Sequence, residues 1–193
     1  MTEQQRYRVL QTMRDGVELR EYAHCVVADV VVMGSQESAG NKAFRPLASY
    51  IGGKNQTRES LAMTAPVIQE ARSEKLAMTA PVIQESAGDG QWTVSFVLPG
   101  ARALADYPIP DDPRVQLREL PRETAAAVRW SGRWTSGNVA ARTDALLRCI
   151  ADAGWEPAGP PRWARFDPPW KPFFARRNEV VIPVSVVPSD VRD

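Results

Sequence analysis

A single histidine, His24, is all that 193 residues offer. With only two cysteines beside it, Cys25 and Cys149, the sequence argues against a metal site built from several imidazoles and thiolates. No CxxC pair occurs, and two thiols make no disulfide framework, so both are read as thiols of a reducing cytoplasm. No apolar run approaches the roughly 20 residues a membrane-spanning helix needs. Met1 to Arg6 is polar and lacks the apolar stretch of a secretory signal. An excess of one charge is missing too: 24 basic and 23 acidic side chains leave +1, which argues against a phosphate-backbone binder. There is no nucleophile elbow, HExxH helix, Walker loop or dinucleotide fingerprint. Gly52-Gly53-Lys54 lacks the upstream glycine spacing of a phosphate loop. These absences point away from an enzyme with its own catalytic residues and towards a soluble, cytoplasmic protein.

What is present suits a packed core. Hydrophobic residues make up 44% of the chain and charged residues 24%, and the length fits one domain over 1–193, with an ordered core of about 7–187. Sixteen prolines, gathered after Leu98 and from Pro157 to Pro172, suggest short elements joined by rigid turns. Tyr7 to Met13 leads into Arg14-Asp15-Gly16, a hairpin signal. Val17 to Tyr22 alternates with period two, as a half-buried strand does, and His24 to Met33 is almost continuously apolar. Ala43, Phe44, Leu47, Ala48 and Ile51 recur at helical spacing before Gly52-Gly53. Pro46 conflicts with that helix, which either starts late or is kinked there. Gln91 to Leu98, Arg114 to Leu120 and Thr124 to Trp130 read as strands. A second helix covers about Ser136 to Ala153, capped by Thr135 or Ser136. Trp163 to Phe166 and Glu179 to Val187 read as the last strands, before a loose tail from Pro188 to Asp193. The pattern predicts an α+β fold: a mostly antiparallel sheet of two similar halves with a helix laid on each.

Leu61 to Glu70 (LAMTAPVIQE) recurs unchanged as Leu76 to Glu85. Two copies with abrupt ends are a local duplication rather than a solenoid. The reading favoured here makes both copies extended, joined around Ala71-Arg72-Ser73. The proline in each copy removes a ladder donor and so favours an edge or a bulge. Met63 and Met78 would line core or pocket; a soft thioether also suits a flat aromatic ligand.

Tyr50-Ile51-Gly52-Gly53-Lys54-Asn55, followed by Leu-Ala-Met-Thr-Ala-Pro-Val, resembles the centre of the SOUL haem-binding family, in its bacterial type with the AMTAPV motif doubled. Val17 to Tyr22 resembles the family's early strand, and Trp130-Ser131-Gly132-Arg133-Trp134 its approach to the second helix. Asp167-Pro168-Pro169-Trp170-Lys171-Pro172 with Arg176-Arg177-Asn178-Glu179-Val180 resembles its C-terminal signature. The resemblance implies a distorted antiparallel β-barrel flanked by two helices. It also implies non-covalent binding of haem or another porphyrin in a surface groove, without turnover, as a buffer or carrier; the alternative is an effector-type module for a different amphipathic ligand. Such a ligand needs an apolar slot, cations for its propionates and sometimes an axial ligand. Lys42 and Arg45, three apart on the first helix, and Lys171 of the C-terminal signature are the candidate propionate partners. Tyr50, Phe44, Met63 and Met78 are candidate lining. His24 is the candidate axial ligand, against a plainer reading as a partly buried histidine at a strand end. Arg176 and Arg177 are read as a structural clasp on Glu179 or nearby carboxylates. Neither nucleic acid nor a membrane span is expected.

Overall fold

The computed structural model describes residues 3–57, 73–167 and 170–186. The chain runs β1 (Glu3–Gln4), β2 (Tyr7–Thr12), β3 (Val17–Tyr22), β4 (Cys25–Met33), α1 (Gln36–Ile51), β5 (Asn55–Gln56), β6 (Thr79–Ala80), β7 (Val82–Gly88) and β8 (Gln91–Val97). It continues through β9 (Ile109–Pro110), β10 (Gln116–Leu120), β11 (Glu123–Ser131), α2 (Ser136–Asp152), β12 (Trp155–Pro157), β13 (Arg162–Arg165) and β14 (Arg177–Val186).

Local chemistry sets the boundaries. Asp15 and Gly16 both take positive φ, +59° and +70°, which turns β2 back into β3 with the twist a tight hairpin needs. Ser35 caps α1 by accepting the Ser38 N–H at 3.3 Å, and Thr135 caps α2 by accepting that of Asn138 at the same distance. The conflict at Pro46 is resolved against a late start, since α1 runs unbroken from Gln36. An interior proline costs about 3 kcal/mol in a helix. Here Pro46 shares the buried face with Ala39, Ala43, Leu47 and Tyr50, and burial of that face offsets the loss.

Nine strands form one curled antiparallel path, β10-β4-β8-β7-β13-β14-β11-β3-β2, with β12 branching from β14. The order is palindromic about the β7–β13 pair. On one side stand β7, β8, β4 and β10; on the other β13, β14, β11 and β3. Each half inserts its helix after the corresponding strand, α1 after β4 and α2 after β11. The expected α+β barrel of two similar halves is therefore what the chain forms. The halves exchange a strand, because β3 pairs with β11 and β10 with β4.

Register places both helices on one face. Val30, Val94, Gln84, Trp163, Val180, Val128 and Val17 stand opposite one another in turn across the sheet. Directly opposed residues share a face. Val30 and Val94 pack in the α1 core with Leu47, and Val180, Val128 and Val17 in the α2 core with Leu146. Gln84 and Trp163, at the centre of the row, each tie down one helix. Gln84 Nε2 donates to the Gln36 carbonyl of α1 at 3.0 Å, and Trp163 Nε1 to Thr143 Oγ1 of α2 at 3.0 Å.

Two sequence expectations change. The alternation in β3 suggested a half-buried strand, yet Arg20 on its polar side is only 2% exposed. Glu179 takes its guanidinium at 2.7 Å on the opposite face of the sheet, so that face is buried by ion pairing. The second repeat copy is extended but forms no edge: β7 lies between β8 and β13. Its Pro81 falls where the chain leaves the short β1–β6 pairing for the main sheet, so the missing ladder donor costs nothing there. The first copy, with Met63, lies outside the described residues.

Candidate functional site

The helix N-termini meet over the centre of the palindrome. Glu37, on the first turn of α1, accepts the Ser136 N–H that opens α2, at 2.8 Å. Beside this contact lies an open cleft of about 530 Å³. Glu37 and Asn41 line it from α1, Arg133, Trp134 and Thr135 from the approach to α2, and Arg165 from β13. Trp170 to Phe173 and Arg176, on the segment before β14, complete it. The size falls in the usual range for small-molecule sites, about 300–1,000 Å³.

Arg165 dominates its electrostatics. Standing opposite Val82 and Asn178, it points to the helix face. Burial lowers its pKa and the nearby Arg176 guanidinium lowers it further. Its guanidinium lies 5.3 Å from the Trp134 ring centroid and has no carboxylate partner among the described residues. A cation so placed costs desolvation that no carboxylate within ion-pair distance returns among the described residues, Glu37 being engaged with the Ser136 N–H. Room for it is made by Gly40, where a Cβ would sit 3.3 Å from Arg165 Nη1. Other buried polar atoms nearby are also unsatisfied: Trp134 Nε1, Gln36 Nε2 and Gln84 Oε1. Each such group ordinarily finds a partner.

The remaining cations are held in different ways. Arg133 lies 4.8 Å from the Phe173 ring centroid and forms no ion pair among the described residues. Arg176 Nε donates to the Lys171 carbonyl at 2.7 Å, while Lys171 Nζ meets Asp167 Oδ1 at 2.6 Å. Asp167 also accepts the Arg177 N–H at 2.6 Å. Burial pushes the Asp167 carboxyl up, but these donors outweigh it and hold the pKa below the usual carboxylate range. Arg165 beside the Trp134 indole and Arg133 over the Phe173 ring suit a flat aromatic anion.

The structure divides the residues singled out from sequence. Lys171 lines this cleft. Lys42, Arg45 and Tyr50 line a second hollow, of about 510 Å³, on another side of α1. Lys42, Arg45, Lys54 and Arg114 face Asp111 and Asp112 there, and among the described residues only Arg114 of these cations is ion-paired. Lys42 Nζ donates to the Met33 carbonyl at 2.8 Å, and Arg114 grips Asp112 at 2.7 Å, holding its carboxyl down at about 2. The Tyr50 ring is buried, with its hydroxyl on the Pro108 carbonyl at 3.0 Å. Phe44 packs edge-on against Phe96 and lines neither hollow. Met78 is 53% exposed and also lines neither. His24 sits in the turn before β4, 3.7 Å from Glu119 and exposed rather than partly buried. Nine residues of β4, on the order of 30 Å of strand, separate it from the start of α1. The clasp expected of Arg177 is present, at 2.7 Å from Glu179.

The sequence matches the model of the SOUL heme-binding protein family over residues 2–183. Among solved structures, the C-terminal domain of EcmrR is similar, with a TM-score of 0.62 and 17% identity, over 91% of this chain and all of that one. EcmrR in a DNA complex is similar over 89% of this chain and 57% of its own, with a TM-score of 0.60 and 17% identity. A hydrolase from Listeria innocua is similar over 91% and 94%, with a TM-score of 0.56 and 14% identity. At these identities the likeness concerns the fold alone. No curated protein matches the sequence at a significant level.

Proposed function

The chain belongs to the SOUL haem-binding protein family, and from that premise we propose that it holds haem or a related tetrapyrrole in the cleft between its helix N-termini, as a buffer or carrier and without turnover. The observation that carries this reading is the uncompensated Arg165 guanidinium in an aromatic-walled cleft. A propionate supplies the acceptor that Arg165 lacks, Arg133 and Arg176 attract the second, and Trp134, Trp170 and Phe173 offer ring faces to the macrocycle. Lys171 contributes less, because Asp167 already neutralises it.

The described lining contains no histidine, cysteine, methionine or tyrosine. Holding by ring faces and carboxylates therefore does not depend on the metal. Iron-free protoporphyrin IX is expected to bind within about tenfold of haemin. Titration of each, followed by absorbance and by quenching of tryptophan emission, tests this. Saturable binding of both supports the reading; binding no stronger than to an unrelated protein of similar charge overturns it.

The same lack of a metal ligand favours one second reading, an effector-type module for a different amphipathic aromatic anion. A thermal-shift screen distinguishes the two. Stabilisation by a non-porphyrin aromatic carboxylate, with none by protoporphyrin, selects the second. Two free thiols, Cys25 and Cys149, fit a reducing cytoplasm under either reading.

A further inference from the structure

The segment that closes the cleft also presents large apolar side chains to solvent. Trp170 is 83% exposed, Phe174 69% and Phe173 44%. Phe173 and Phe174 pack edge to face at 5.7 Å, forming one aromatic tip on the short 3-10 turn before β14. Clustered exposed aromatics mark an interaction surface. Cations flank this one, with Arg133 over the Phe173 ring and Arg176 at the base of the same segment.

We propose that this tip docks the protein, peripherally, on an anionic phospholipid surface, with the mouth of the cleft against the headgroups. Indole and phenyl rings beside guanidinium groups match the boundary between acyl chains and anionic headgroups. A protein partner fits less well: a stable interface takes about 800 Å² from each side, whereas the exposed rings are two on one turn and Trp170 shortly before it. Docking uses the rim of the same cleft, through Trp170, Phe173 and Arg133, but needs no tetrapyrrole, and it spans nothing: no helix among the described residues is long and apolar enough to cross a membrane.

Sedimentation with vesicles tests it, using the ligand-free protein with pure phosphatidylcholine or with phosphatidylcholine doped with phosphatidylglycerol. The protein is expected to sediment with the anionic vesicles, less so as salt rises, and weakly with the neutral ones. The Trp170→Ser/Phe174→Ser double variant is expected to lose most of this binding while keeping the wild-type melting temperature, because both side chains face solvent. Arg133→Gln is expected to weaken it about fivefold. Quenching of tryptophan emission by brominated acyl chains should disappear in Trp170→Phe. Sedimentation no greater than that of an unrelated protein of equal net charge overturns the proposal. So does binding that the double variant retains in full, or a tip whose loss changes only self-association. Since no tetrapyrrole is present, none of these outcomes bears on the porphyrin titration.

Discussion

Glu37 Oε1 accepts the Ser136 N–H at 2.8 Å, so a carboxylate on the first turn of α1 caps α2 across the axis relating the two halves. The negative charge also suits the positive end of the α2 dipole. Glu37→Ala is expected to cost about 1 kcal/mol, the usual size of a lost cap, and Glu37→Gln less because an acceptor remains. Urea denaturation of both variants checks this. An unchanged midpoint for Glu37→Ala would show that the contact does not hold the helices together.

The pair Arg20–Glu179 offers a larger effect. Its side chains are 3% and 2% exposed, and Arg177 shares the carboxylate at 2.7 Å. Removing Glu179 takes the carboxylate from Arg177 and leaves Arg20 only the partly exposed Glu18 carboxylate at 2.7 Å, which points to the low end of the about 3–5 kcal/mol that breaking a buried pair costs. Glu179→Ala should lose that much in chemical denaturation, far more than removal of an exposed pair such as Arg8–Glu21. Equal losses would contradict the buried pairing.

Alkaline pH should destabilise the fold through two buried acids. Burial pushes the Cys25 thiol up to about 11, opposed by Arg162. Burial likewise pushes the Tyr22 hydroxyl up to about 12, opposed by Arg20. Both are raised in the folded state, so their contribution is full below the unfolded values of about 8.5 and 10 and fades as pH climbs towards the folded ones. Stability measured by urea should therefore fall between about pH 8.5 and 11. Cys149, less buried, should react with a thiol reagent before Cys25 does. A flat stability profile, or faster labelling of Cys25, contradicts this.

Much of the fold was legible because it is local. β3 falls on the predicted Val17–Tyr22, and the Asp15-Gly16 hairpin and the Thr135 cap of α2 stand where the residues demanded them, whereas the Ser35 cap of α1 was not read from the sequence. The cleft was less legible because register builds it. Arg165 and Trp134 are far apart in sequence, and only the pairing of β13 with β7 and β14 brings them together. A signal did exist: Arg133 and Trp134 close one of the family-like motifs, and Arg165 shortly precedes another. Helical spacing grouped Lys42 with Arg45 correctly but could not say which side of α1 faces the axis. Glu37 and Asn41, one turn apart on a different stripe, do so.

The distance from His24 to the cleft yields a simple expectation. His24→Ala should bind haemin as wild type does, with an unaltered Soret spectrum. A changed spectrum together with weaker binding would place the ligand near the β3–β4 turn instead.

The central claim is that Arg165 receives a ligand carboxylate. Haemin affinity of Arg165→Ala, set beside wild type and Arg165→Lys, tests it most directly. Loss of a hydrogen bond to a charged group, about 1.5–3 kcal/mol, predicts affinity at least about tenfold weaker in Arg165→Ala, partly restored in Arg165→Lys, with the melting temperature held or raised because a half-buried cation with no carboxylate partner among the described residues is gone. Wild-type affinity in a folded Arg165→Ala protein would contradict the account.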